Sequence, residues 1–110
     1  MTTIKIKKEN DYIICVECSN HTGFADYGKD IVCAGVSTLV QTAANSVQKL
    51  TDVKNKLVID ENSGYLKLEL YDIDISSLGF HDAQVIINSM LCGLEDFQKQ
   101  YPKYVKLEVK

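Results

Sequence analysis

Two stretches of helical periodicity, each preceded by a pair of strand-like segments, constrain the fold of this chain most strongly. The first helix is predicted over about residues 31–50 and the second over about residues 83–100, with Asp82 as N-cap and Pro102 just past its end. The apolar stripes that we expect to be buried are Val32, Val36, Leu39, Val40, Ala43, Val47 and Leu50, and then Ala83, Ile86, Ile87, Met90, Leu94, Phe97 and Tyr101.

Five segments alternate apolar and polar residues or are rich in β-branched and aromatic residues, which is typical of strands. They are predicted at residues 3–7, 12–18, 56–60, 65–71 and 104–109, and turn-forming residues join the first two and the next two into hairpins. The order β-β-α-β-β-α-β predicts an α+β fold, in which two helices pack on one face of an antiparallel or mixed sheet of about five strands. We expect residues 1–110 to form one domain, with lysine-rich sheet edges at residues 3–7 and 104–109.

The composition narrows the classes of partner. The net charge is -3, and all twelve basic residues are lysine. The chain therefore has no arginine, whose planar guanidinium binds phosphates and base edges through paired hydrogen bonds. We therefore expect no direct nucleic-acid binding. No stretch reaches the roughly 20 apolar residues that span a bilayer, and the alternating, charged N-terminus is unlike a signal peptide. These features favour a cytoplasmic protein with reduced cysteines and no membrane partner.

Cys33 is the residue that is best placed to act as a nucleophile. If Asp30 is the N-cap of the first helix, Cys33 is its third residue, where the helix dipole favours the nucleophilic thiolate. His21 lies upstream in a loop predicted over residues 19–29 and is a candidate acid–base partner. Gly23 and Gly28 are candidate hinges of that loop, and Asp30 has a second candidate role in orienting His21.

Three other interpretations of the cysteines stay open. A cysteine near a helix start is often a small buried hydrophobe, and Cys92, inside the second helix, is expected in the core or in an interface. Cys15 and Cys18 are a candidate zinc or redox pair, and with His21 and Cys33 they give a nominal set of four zinc ligands. Residues three apart on a strand face opposite sides of the sheet, however, so the geometry disfavours a shared metal.

The segment over residues 21–37, HTGFADYGKDIVCAGVS, resembles the characteristic motif of the bacterial ribosomal-processing cysteine proteases, the Prp family. The run YGKDIVCA at a fixed distance from a histidine carries the resemblance, and the length and the order of elements are also similar. Asn20 stands where the family has glycine, and asparagine tolerates a positive φ better than most other residues do.

The resemblance implies a Cys33/His21 dyad without metal or other cofactor, in a small α+β protein that pairs as a homodimer. It implies a thiol protease of ribosome biogenesis that removes the N-terminal extension of a large-subunit ribosomal protein, the one numbered twenty-seven, after an apolar, aromatic-containing segment. The alternative is a non-catalytic binding module associated with the ribosome.

Overall fold

The computed structural model describes the backbone of residues 1–20 and 27–110 and the side chains of residues 1–19 and 31–110. The described chain has the predicted order, and the elements are β1 (Thr2–Glu9), β2 (Tyr12–Asn20), α1 (Tyr27–Leu50), β3 (Asn55–Asp60), β4 (Tyr65–Leu70), α2 (Leu78–Gln100) and β5 (Val105–Val109). The strands form one mixed sheet in the order β3-β4-β2-β1-β5, in which β1 and β5 are parallel and the other neighbours antiparallel. The predicted fold class is confirmed.

The core lies between the two helices and one face of the sheet. Leu66, Leu68 and Leu70 on β4 alternate into it, as their period-two spacing predicts. The helical stripes are buried through most of their length, but Leu50, the last residue of α1, is 72% exposed, and Tyr101, just past the end of α2, is 40% exposed. Both residues lie at the end of a helix, and the Tyr101 ring keeps a contact with the Phe97 ring at 6.2 Å between centroids.

The helices approach each other closely at two glycines. A Cβ on Gly35 would come within 2.8 Å of the Phe97 ring, and a Cβ on Gly93 within 2.7 Å of a Leu39 methyl group. Each helix thus receives a large side chain of the other over a glycine, as in the packing of ridges into grooves. These contacts pack α1 closely against α2.

The structure corrects both predicted helix starts. α1 begins at Tyr27 and α2 at Leu78, several residues before the predicted positions. Ser77 caps α2, because its hydroxyl accepts a hydrogen bond from the backbone N–H of Phe80 at 3.1 Å. Asp82 is inside the helix. None of the described helices is long and apolar enough to cross a membrane.

One predicted sheet edge is also wrong. β5 is an edge strand as expected, but the other edge is β3, and β1 lies inside the sheet between β2 and β5. The reason is the parallel pairing of β1 with β5, which aligns Thr2 with Val105 and Ile6 with Val109. Local alternation in the sequence cannot reveal such a long-range pairing.

Candidate active site

The Cys33 thiol lies where α1 crosses the interior strand β1. Its side chain is half-buried, and its Sγ lies 3.0 Å from Oγ1 of Thr2, a hydrogen bond in which either atom can donate. Thr2 is fully buried, on the face of β1 that also carries Ile4 and Ile6. The thiol is therefore partly accessible on one side and held by a buried hydroxyl on the other.

A second thiol lies close to Cys33. Cys18 on β2 is 3% exposed and pairs across the sheet with Ile4. Burial and, as the smaller cause, the charge of Cys33 together raise the pKa of Cys18 to about 11. Cys18 therefore stays protonated near neutral pH, so the more exposed Cys33 is the better nucleophile of the two.

The position of Cys33 in α1 differs from the predicted one. Because the helix begins at Tyr27, Cys33 is its seventh residue, about 9 Å along the axis rather than in the first turn. The dipole effect falls off within the first turn, so it cannot be the main stabiliser of a Cys33 thiolate. Asp30 and Gly28 lie inside the first turn, so Asp30 is not the N-cap and Gly28 is not in the loop before the helix.

The predicted acid–base partner lies just outside the described residues, as does the candidate hinge Gly23. The backbone before His21 is described: β2 ends at Asn20, which pairs with Thr2. The strand that leads to His21 therefore ends beside the residue whose hydroxyl contacts Cys33. The topology brings this end of β2 and the Cys33 thiol to the same end of the sheet.

A groove starts one helical turn from Cys33. Ser37, four residues further along α1, faces it, and four residues in a helix correspond to about one turn. The groove has a volume of about 230 Å³ and runs between α1 and the turn that joins β3 to β4. Its other described lining residues are Cys18, Val40, Gln41, Ile59, Asp60, Glu61, Gly64, Tyr65 and Leu66.

The zinc interpretation has no support in the described part of the chain. Cys18 is in the core, whereas Cys15 lines a shallow depression on the opposite face of the sheet with Lys5 and Glu17, so one metal cannot bind both thiols. Among the described residues, no three histidine, cysteine or acidic side chains come together to hold a metal. Cys92 is exposed on α2, so a place in the core is wrong, and a place in an interface stays a prediction.

Sequence reasoning missed Thr2 as a site residue. The first strand was predicted to begin at Thr3, one residue too late. Extending the alternation of Ile6 and Ile4 back by two residues would have placed Thr2 on the buried face. The contact with Cys33 joins residues 31 positions apart and depends on where α1 crosses the sheet.

Comparisons with known proteins agree with this geometry. Residues 1–106 match the family model described as cysteine protease Prp. The ribosomal processing cysteine protease Prp of Bacillus subtilis is 32% identical over 102 residues, which cover 92% of this chain and 90% of that protein. The crystal structure of the Prp protease from S. aureus with a substrate peptide superposes with a TM-score of 0.86 at 25% identity, covering 100% of both chains.

A second S. aureus Prp structure, with a covalently linked product peptide, has a TM-score of 0.83 at 27% identity, again over 100% of both chains. The fold, the half-buried thiol and these matches define the class of this protein as a cysteine protease, a hydrolase. The chain belongs to the cysteine protease Prp family.

Proposed function

We propose that this protein is a cysteine endopeptidase that removes the N-terminal extension of a large-subunit ribosomal protein, the one numbered twenty-seven, during bacterial ribosome maturation. The observation that carries the proposal is the half-buried Cys33 thiol, which lies one helical turn from a groove and beside the end of the strand that leads to His21. The relatives from Bacillus subtilis and Staphylococcus aureus are ribosomal processing cysteine proteases, which supports the substrate class.

In this mechanism His21 takes the Cys33 proton, and the thiolate attacks the carbonyl carbon of the scissile peptide bond. The tetrahedral oxyanion collapses to a thioester as His21 gives its proton to the leaving amine. Water then attacks the thioester, His21 removes the proton of the water, and the released thiolate is protonated again. Asp30 and Gly23 remain candidates for orienting His21 and for loop movement, respectively.

The start of α1 decides which backbone N–H groups are available to bind the oxyanion. The predicted start at Ile31 would make the N–H groups of Val32 and Cys33 candidates for this role. In a helix that begins at Tyr27, the N–H groups left without an intrahelical acceptor are those of the first four residues, 27–30. Val32 and Cys33 donate within the helix, so they are not donors for the oxyanion.

The decisive test is Cys33→Ala, incubated with the extended ribosomal protein and followed by product masses. We expect the wild type to release one defined N-terminal peptide, and the variant to lose at least about a thousandfold in rate. Cys92→Ala is the matched control, because Cys92 is an exposed cysteine on α2, and it should cleave like the wild type. A folded Cys33→Ala variant that still cleaves would refute the assignment.

The same experiment separates the proposal from the binding-module alternative. A non-catalytic module would hold the extended ribosomal protein intact, and alkylation of its thiols would not change that binding. We further propose that the protein acts in the cytoplasm as a homodimer, without direct nucleic-acid binding. The acidic pI of about 5.3 and the absence of arginine support the last point.

A further inference from the structure

We propose that Thr2 is a positioning residue for the Cys33 nucleophile: its buried hydroxyl donates to Sγ, fixes the orientation of the sulfur and stabilises the thiolate. The inference rests on the proposed function, because it takes Cys33 as the nucleophile. It adds a residue on a different element, β1, to a site otherwise built from α1 and the segment after β2.

The first argument is the burial of a polar side chain. Thr2 is fully buried on the strand face that it shares with Ile4 and Ile6. Valine would fill the same volume without a hydroxyl, and burying a hydroxyl is costly unless it is hydrogen-bonded. The Thr2 Oγ1 lies 3.0 Å from Cys33 Sγ, so this buried hydroxyl contacts the reacting atom itself.

The second argument is the direction of the hydrogen bond. With a neutral thiol either atom can donate, but a thiolate has no hydrogen, so in the reactive form Thr2 must be the donor. Hydrogen bonds to an ionised partner are roughly twice as strong as neutral ones. Cys33 is too far along α1 for the helix dipole to stabilise its thiolate. Thr2 is a described group that contacts the sulfur and can stabilise it.

The third argument is the place of Thr2 in the sheet. Its backbone pairs with Asn20, the residue before His21, and with Val105 on β5. Thr2 is therefore held on both sides by the sheet while its side chain contacts the thiol. Cys18 is the titratable neighbour on β2, and its thiol stays protonated near neutral pH, so it does not compete as an anion.

The test compares Thr2→Ser, which keeps the hydroxyl, with Thr2→Ala, which removes it; both lack the methyl group. The rate of Cys33 alkylation by iodoacetamide is followed against pH by peptide mass spectrometry. We expect Thr2→Ala to alkylate about tenfold more slowly at neutral pH, with the midpoint of its pH–rate profile at higher pH, and Thr2→Ser to stay close to the wild type.

Three internal controls separate positioning from a general loss of structure. Exposed Cys92 should alkylate at the same rate in every variant, and buried Cys18 should stay protected. Thr3→Ala changes the adjacent threonine, which does not share the buried face of Thr2, and should leave the Cys33 profile unchanged. Equal Cys33 profiles for Thr2→Ala and Thr2→Ser would overturn the proposal.

Cleavage of the ribosomal protein is a separate readout. We expect kcat/KM to fall about tenfold in Thr2→Ala and to be restored in Thr2→Ser. The alkylation result does not depend on any substrate. If Cys33→Ala still cleaved, the proposed function would fail while the alkylation profiles could still show the effect of Thr2 on the thiol.

Discussion

A hydrogen bond between Tyr65 and Glu17 ties β4 to β2 on the sheet face away from the helices. The Tyr65 hydroxyl donates to Glu17 Oε2 at 2.6 Å. This bond to the carboxylate, followed by burial, raises the pKa of Tyr65 to about 12. The bond anchors β2 shortly before the strand ends beside Cys33, and it makes a pH-dependent contribution to stability.

The sign of that pH dependence follows from the raised pKa. Below about pH 10 the tyrosine is protonated in both states, so the contribution is fully present; between pH 10 and 12 the unfolded chain releases its proton first and the contribution is lost. We expect Tyr65→Phe to cost about 0.5–1 kcal/mol at pH 8, and the gap to the wild type to narrow by pH 11.

Urea unfolding of both proteins at the two pH values measures that gap. Tyr71→Phe is the control, because Tyr71 is 48% exposed just past the end of β4. It should change the unfolding free energy by less than about 0.5 kcal/mol. A gap between wild type and Tyr65→Phe that widens toward pH 11 would contradict the assignment of the bond.

At the scale of elements, a buried glutamine joins α2 to the sheet. Gln84 Oε1 accepts from the backbone N–H of Ile13 at 2.9 Å, and its Nε2 donates to the carbonyl of Ile13 at 2.7 Å. β4 pairs with β2 from Cys15 to Ser19, so Ile13 lies beyond the part of β2 that β4 covers. Gln84 binds the backbone N–H and carbonyl of Ile13 there. One side chain thus takes the place of a neighbouring strand.

We expect Gln84→Met, which keeps the length of the side chain but not its hydrogen bonds, to destabilise the fold by about 2–4 kcal/mol. The reason is that it leaves two buried backbone groups without this partner. Gln100→Ala, at the exposed end of the same helix, should change stability by less than about 0.5 kcal/mol. Denaturant unfolding measures both. A Gln84→Met variant as stable as the wild type would contradict this role.

The elements differ in how far the sequence could predict them. Burial repeats every second residue in β4 and every three to four in α1, so their inward faces could be read directly. The start of α2 was missed because Ser77 and Asp82 are both good N-caps, and the apolar stripe becomes regular only after the second. The contact of Thr2 with Cys33 and the parallel pairing of β1 with β5 depend on tertiary packing, which local patterns do not encode.

At the scale of the whole molecule, the two helices cover one face of the sheet and leave their own outer side uncovered in the single chain. A shallow groove of about 320 Å³ lies there between α1 and α2. Val85 lines it and is 57% exposed, beside Ile86 and Met90 from the same helix. An apolar groove of this kind is a suitable surface for the homodimer that we propose.

Sedimentation of the wild type, Val85→Glu and Val58→Glu tests this arrangement. We expect the wild type to sediment as a dimer and Val85→Glu as a monomer, because a C2 interface would bring two buried charges into one apolar contact. Val58 is 42% exposed on β3, and the hairpin of β3 and β4 is the alternative surface that we consider for the dimer. Dissociation by Val58→Glu instead would move the interface to that hairpin, and a wild type that stays monomeric at high concentration would contradict the dimer itself.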